Sequence, residues 1–181
     1  MIHKRPNILF AFADDWGRYA SAYQRIEGDS MPNALLDTPH FDCVAREGAL
    51  FTNAFAPAPS CTPCRSSILS GPYFWQTGRG AILSGAVWDS SIPTYPLLLE
   101  KAGYYHRVHL QSMVAGDAPY GGDRTRYAPA GTQFGEFSLV ATEHVPERGV
   151  EGAKQILYDE TRQNFDAFLT ARPRGTPFCY W

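Results

Sequence analysis

The chain has 181 residues, 44% of them hydrophobic and 19% charged, with a formal net charge of −2. That length suits one domain able to bury roughly two-thirds of its unfolded surface, and the composition is that of a folded chain rather than a disordered one. The charge gives no electrostatic case for nucleic acid or an anionic membrane as partner, so any anion must be bound locally, by a few arginines and backbone donors.

Cysteines at 43, 61, 64 and 179 are too few and too unevenly spaced for a disulfide scaffold. Residues 1–6 lead directly into a run, 7–13, that is apolar after Asn7 and is followed by two aspartates, not by a small-residue cleavage site, so no secretory signal is visible. No run approaches the ~18 apolar residues that a membrane span needs. As it stands the sequence reads as soluble and unexported; a true start upstream of Met1 would reopen export.

In chain order, the apolar run 7–13 predicts a strand covered on both faces. Thr38 then caps a short helix that has Pro39 first and Gly48 as its stop, with Phe41, Val44 and Ala45 on one face. Residues 50–56 predict a second strand, and 57–60, Pro-Ala-Pro-Ser, a loop. Thr62 is the predicted cap of the next helix, with Pro63 at its first position and Gly71 ending it. Thr94-Tyr95-Pro96 opens another, from Leu97 to Ala102, closed by Gly103. Residues 116–135, rich in Gly and Pro, read as surface loop. From Val150 to about Ala171 the apolar spacing of Ala153, Ile156, Leu157, Phe165, Phe168 and Leu169 predicts a long helix. Residues 177–181 begin a strand. Strands alternating with helices predict an α/β fold, a mostly parallel sheet flanked by helices. A chain that stops inside an apolar strand is expected to be a piece of something longer.

Three groups of residues carry chemistry. Asp14 and Asp15 follow the first strand, on the side where parallel α/β sheets place their ligands, and could hold a hard divalent cation, Ca²⁺ or Mg²⁺. A solvated turn is the plainer reading of the same pair, and two carboxylates fall short of a Ca²⁺ shell of about 6–8 oxygens. Cys61 and Cys64 form a C-x-x-C at a predicted helix N-terminus, which admits a redox pair, half a zinc site, or two small buried thiols. The Pro-Ala-Pro-Ser run before it argues against a thioredoxin-type setting. Arg65, four residues after Cys61, gains a redox pair little, whereas a site that cleaves a tetrahedral oxyanion needs it. Position alone leaves it an ordinary exposed arginine.

Taken jointly, R-P-N-I-L-F-A-F-A-D-D-W-G, then T-P-H-F-D-C-V-A-R-E-G-A-L-F-T-N-A-F, then C-T-P-C-R-S-S-I-L-S-G, then L-L-L-E-K-A-G-Y resemble the N-terminal half of a sulfatase over roughly residues 5–105. C-x-P-x-R is the signature of that family. The stretch S-S-I-L-S-G-P-Y-F-W-Q-T-G-R-G-A is most similar to the heparan N-sulfatase (sulfamidase) group and its bacterial relatives. The resemblance implies an alkaline-phosphatase-like α/β fold, with residues 1–181 forming the N-terminal part of a single catalytic domain that is incomplete at its C-terminus.

It also implies a chemistry. The cysteine matching Cys61 is oxidised by a maturation enzyme to Cα-formylglycine, whose hydrated aldehyde carries two hydroxyls. One attacks sulfur and the alcohol or amine leaves; the other collapses the adduct and expels sulfate, so that one hard displacement becomes two easier ones. Asp14 and Asp15 match the first metal-binding pair, for Ca²⁺ or Mg²⁺ that polarises a sulfate oxygen, and Arg65 matches the cation that steadies the modified residue. The substrate implied is a sulfated or N-sulfated sugar. Two rivals stand: a phosphonate or phosphate monoester hydrolase of the same superfamily, and a non-catalytic thiol or metal-binding module built on Cys61 and Cys64.

The chain departs from the family in three places. Ser70-Gly71 replaces Thr-Gly at the end of the motif, a minor change that keeps a hydroxyl. After Gly103-Tyr104 the family crosses a strand into a Gly-Lys-x-His element, whereas here Arg107-x-His109 comes too soon. Codons allowed for residues 107–114, read one nucleotide later, can spell Gly-Phe-Thr-Tyr-Lys-Val-Trp-Ser, so a pair of compensating frameshifts is the expectation there. The second metal-ligand pair and a further histidine of family members fall beyond Trp181, so the chain alone is expected to have little or no activity.

Overall fold

The computed structural model describes residues 5–13, 16–28, 32–82, 88–89, 91–107 and 143–181. In chain order its elements are strand β1 (Ile8–Leu9), helix α1 (Ser21–Glu27), a 3-10 turn (Asn33–Leu35), helix α2 (Pro39–Glu47) and helix α3 (Cys61–Ser70). A 3-10 stretch (Phe74–Ala81), helix α4 (Tyr95–Lys101), strand β2 (Tyr105–Arg107), helix α5 (Val145–Ala171) and strand β3 (Phe178–Tyr180) follow. They fall into two compact units, Phe12–Ala56 on the one hand and Met1–Ala11 with Pro57–Trp181 on the other. Among the described residues no helix is long and apolar enough to cross a membrane.

The larger unit is built on a parallel sheet of order β1-β3-β2. Of the three described strands, the last in sequence is therefore the central one. Cys179 lies opposite Ile8 on one side and His106 on the other. The ladder is extended by Phe10 N–H donating to the Tyr180 carbonyl at 2.8 Å and Tyr105 N–H donating to the Pro177 carbonyl at 2.8 Å. The Asn7 side chain accepts from Phe178 N–H at 3.2 Å.

Successive residues of a strand face opposite ways, and β3 uses both. Phe178 and Tyr180 pack on Phe168 of α5, with Phe165, Leu169 and Tyr105 around them; the Phe168 ring lies 4.8 Å from that of Tyr180 and 5.1 Å from that of Tyr105. On the other face Trp181 joins Leu69 of α3 and Trp88, bordered by Phe10, Ile92 and Tyr95. Helices thus cover both faces of a parallel sheet, the α/β arrangement that the alternation of elements predicts.

Helix α5 realises the apolar spacing read between residues 150 and 171, with Ala153 and Phe168 buried. A turn, 145–148, is prefixed to it across Gly149, whose φ of 68° and ψ of 175° break the helix. Helix α4 has Thr94 as its cap, but begins at Tyr95 rather than Leu97, because Pro96 is tolerated in a first turn whose N–H groups have no partner. Gly103 follows it at φ 86°, a left-handed conformation that costs glycine alone nothing, and the Arg5 guanidinium donates to the Ala102 carbonyl there.

In the smaller unit, α2 runs from Pro39 to the predicted stop at Gly48. Thr38 stands at the cap position, yet its hydroxyl is committed elsewhere. It donates to Asp42 at 3.0 Å and accepts from Ser21 N–H at 3.0 Å, while Ser21 Oγ donates to Asp42 at 2.8 Å and accepts from Thr38 N–H at 3.0 Å. That closed set of bonds ties α1 to α2. Phe41 packs on Trp16 and Tyr23, while Val44, expected on the same face, is exposed.

Two expectations fail. Residues 50–56 form no strand, and Phe51 and Phe55 are exposed: β-branched and aromatic content cannot make a strand without a ladder to join. The run 7–13 forms a strand only at Ile8–Leu9, because β3 offers three residues to pair with, and exposed Leu9 does not fit a strand covered on both faces. The predicted loop 116–135 and residues 108–114 of the proposed frameshift lie outside the described residues.

Phe168 is wholly buried between sheet and helix. Phe168→Ala is expected to cost about 3–5 kcal/mol in urea denaturation, against ±0.5 kcal/mol, roughly, for exposed Tyr158→Ala. Equal costs for the two would mean that α5 is not docked on β3.

Candidate active site

The C-x-P-x-R segment begins α3. Ser60 is extended, with φ −155° and ψ 145°, and its carbonyl accepts the first helical bond, from Cys64 N–H at 3.0 Å. Cys61 is therefore the first helical residue and Pro63 the third. This corrects the predicted start at Thr62: proline lacks an N–H that no residue of the first turn has a carbonyl for, so it fits anywhere in that turn, not only at its head. The Ser60 side chain makes no cap bond. Gly71 ends the helix as predicted, its N–H donating to the Ser67 carbonyl at 2.7 Å.

Helix α3 is short, polar and yet buried over most of its length, including Thr62, Cys64, Arg65, Ser66 and Ser67. Small hydroxyls make that tolerable by turning back onto their own helix. Ser66 Oγ donates to the Pro63 carbonyl at 2.8 Å and Ser70 Oγ to the Ser66 carbonyl at 2.7 Å. From the adjoining 3-10 stretch, Thr77 Oγ1 lies 3.2 Å from Ser66 Oγ and donates to the Phe74 carbonyl at 2.6 Å.

Arg65 opens the second turn rather than lying in the first, as the shifted start requires, and it is buried at 5% exposure, not the ordinary exposed arginine that its position suggests. Its guanidinium stands over the Trp181 ring, 5.9 Å from the centroid, within cation–π range. Trp181 is in turn fixed by Phe10 at 5.4 Å and Tyr95 at 6.2 Å. Four-residue spacing puts Cys61 and Arg65 on the same side of α3, and helical side chains lean toward the N-terminus, so Arg65 leans toward the turn that Cys61 begins. Cys61 itself is half-buried. A half-accessible thiol at a helix N-terminus, where the dipole favours anions, shares that end of the helix with a buried cation.

Asp14 and Asp15 lie outside the described residues. Their neighbours Phe12, Ala13, Trp16 and Gly17 line a half-open cavity of about 210 Å³ in the smaller unit, together with Tyr23 and Phe41. Among the described residues no three His, Cys, Asp or Glu side chains gather to hold a metal. The site residues that the sequence names on α3 are thus brought to one helix end, and the acidic pair is not part of that description. His109 is also outside it, and Arg107 ends β2, so the strand starts directly after Tyr104.

One buried group escaped the sequence reading. His106, in the middle of β2, is 4% exposed, beside Cys179 in the register and edge-on to the Tyr95 ring at 6.3 Å. Burial pushes its imidazole down to about 4, so it is neutral at neutral pH. Burial likewise pushes the Cys179 thiol up to about 11. The strand-period position after Gly103-Tyr104 was the available signal for His106.

The Sulfatase family model matches residues 6–178 of this chain. Among curated proteins the chain is similar to the N-acetylgalactosamine-6-O-sulfatase of Bacteroides thetaiotaomicron, 32% identical over 86% of this chain and 31% of that protein. It is 33% identical to an ulvan-active sulfatase of Formosa agariphila, over 98% of this chain and 32% of that one. It is also 37% identical to human N-sulphoglucosamine sulphohydrolase, over 55% of this chain and 19% of that one. The chain spans about a third, or less, of the length of these relatives.

Because the folded chain holds His106 neutral while the unfolded chain takes up a proton near pH 6.5, stability is complete above that pH and falls as the pH drops toward 4. The loss expected over that window is roughly 3 kcal/mol. His106→Leu should flatten the slope between pH 7 and pH 4 in urea titrations; an unaltered slope would assign it to other groups.

Proposed function

The chain belongs to the sulfatase family, and from that premise we propose that the protein hydrolyses sulfuric esters or N-sulfates of sugars, with Cys61 converted to Cα-formylglycine as nucleophile. The observation that carries this is the start of α3: a half-buried Cys61 as its first residue, an N-terminus to which the Ser60 side chain gives no cap bond, and Arg65 buried one turn on. The relatives are named for sulfated amino sugars and for ulvan, which supports a sulfated sugar over a phosphate ester as substrate.

The aldehyde, installed by a maturation enzyme, supplies the geminal hydroxyl that attacks sulfur. The residues of the chain do the rest. Helix α3 holds position 61 at its positive end, where a sulfate oxygen is favoured. Arg65, stiffened by the Trp181 ring and shielded from water, offers a fixed positive charge to the developing negative charge, where a preorganised cation costs no reorganisation. A divalent metal, Ca²⁺ or Mg²⁺, would add polarisation of a sulfate oxygen. Asp14 and Asp15 have the hard oxygen donors that such an ion prefers, and the rest of its shell must come from other residues, since two carboxylates cannot fill it. The fold this implies is alkaline-phosphatase-like, with residues 1–181 as the N-terminal part of one catalytic domain, and the activity belongs to a protein of the relatives' length.

Mass spectrometry of the tryptic peptide 47–65 should find position 61 about 18 Da lighter than cysteine. In the longer protein Cys61→Ala should lower sulfate-ester turnover at least about 10³-fold, and chelation should abolish turnover until Ca²⁺ or Mg²⁺ is returned. Residues 1–181 alone should show almost none. Unmodified cysteine in an active preparation, or full turnover by Cys61→Ala, would sink the proposal.

A further inference from the structure

We propose that Cys61 and Cys64 close reversibly into a disulfide, a modification site that withholds Cys61 from conversion to the aldehyde while it is closed. The withholding rests on the formylglycine reading; the disulfide does not. All four cysteines of the chain carry thiols in this structure.

Residues 61 and 64 are the first and fourth of α3, and the bond from Cys64 N–H to the Ser60 carbonyl at 3.0 Å shows that the turn between them is helical. A rise of about 1.5 Å per residue at 3.6 residues per turn sets their Cα atoms about 5 Å apart. That lies inside the window of about 4.4–6.8 Å that a disulfide spans without moving the backbone. Pro63 stiffens the short connection, so little freedom is lost on closure.

The two thiols differ in the way that stepwise exchange requires. Cys61 is half-buried and can be reached from solvent, while Cys64 is buried at 8% exposure. With a low-molecular-weight disulfide such as oxidised glutathione as oxidant, the Cys61 thiolate attacks one glutathione sulfur. The glutathione S–S bond breaks, and one glutathione thiolate leaves and takes a proton. The Cys64 thiolate then attacks the Cys61 sulfur, and the second glutathione leaves the same way. The protein loses two hydrogens and the oxidant gains them. A dithiol reverses both steps.

No other thiol competes for this role. Cys179 is wholly buried in the central strand, and burial disfavours its thiolate. Cys43 on α2 donates to Glu47 Oε1 at 3.3 Å, and it serves as an accessible control.

The purified full chain, reduced and then incubated with oxidised glutathione, is alkylated and digested. Peptide 47–65 should appear about 2 Da lighter than its dithiol form and unalkylated, and dithiothreitol should restore two alkylatable thiols. Cys64→Ser and Cys64→Ala, two variants so that a fault of folding in one is not mistaken for the result, should stop with one glutathione on Cys61. A wild-type peptide that keeps both thiols, or keeps glutathione on Cys61, overturns the pairing. Both forms are then offered to the maturation enzyme: the reduced chain should lose about 18 Da at position 61 and the disulfide form nothing. Equal conversion overturns the withholding. Conversion of neither form overturns the withholding, while the mass of position 61 in the longer protein decides the formylglycine reading and the loss of about 2 Da decides the disulfide.

Discussion

The larger unit depends on one strand having two different faces. Phe178 and Tyr180 of β3 turn toward Phe168 of α5, while Trp181, one step further, turns toward α3. Strand periodicity enforces the division, and the central place of β3 between β1 and β2 commits its backbone to partners on both sides. Trp181 is thus one of the contacts that hold α3, beside the 3-10 stretch Phe74–Ala81 and α4, and so the residues at its N-terminus.

That dependence explains how a positive charge can be buried at the head of a polar helix. A guanidinium taken out of water is costly, and an aromatic face returns part of the cost. The Trp181 ring, 5.9 Å from the guanidinium, helps to fix the direction of that charge. The hydroxyls of Ser66, Ser70 and Thr77 make their own bonds locally, which lets Ser66 and Thr77 be buried in a polar setting.

What the sequence disclosed was what local chemistry decides. Gly48, Gly71 and Gly103 mark three helix ends, Thr94 a cap, and the spacing around Phe165, Phe168 and Leu169 the face of α5 that meets the sheet. What it missed depends on distant partners. Residues 50–56 read as a strand because apolar content is local, whereas a ladder is not. The ring of bonds among Ser21, Thr38 and Asp42 joins residues up to 21 apart, and no short window shows it. Of the candidate site, Cys61 and Arg65 were legible as a motif; the burial of Arg65 was not, since its cover is supplied by the last residue of the chain. His106 was passed over for the same reason, its burial resting on Tyr95 and on β3.

The strand order has a bearing on how this chain is made. β1 and β2 are both complete in sequence long before β3, yet neither pairs with the other; each waits for residues 178–180. At a synthesis rate of roughly 5–20 residues per second, β1 spends on the order of ten seconds or more as an open edge after leaving the ribosome. Contacts that join the two ends of a chain are slow to form and leave apolar segments uncovered meanwhile. An open Ile8–Leu9 edge during that interval is where newly made copies are most exposed to pairing with one another, and a chaperone that shields the nascent N-terminus would act on this interval above all.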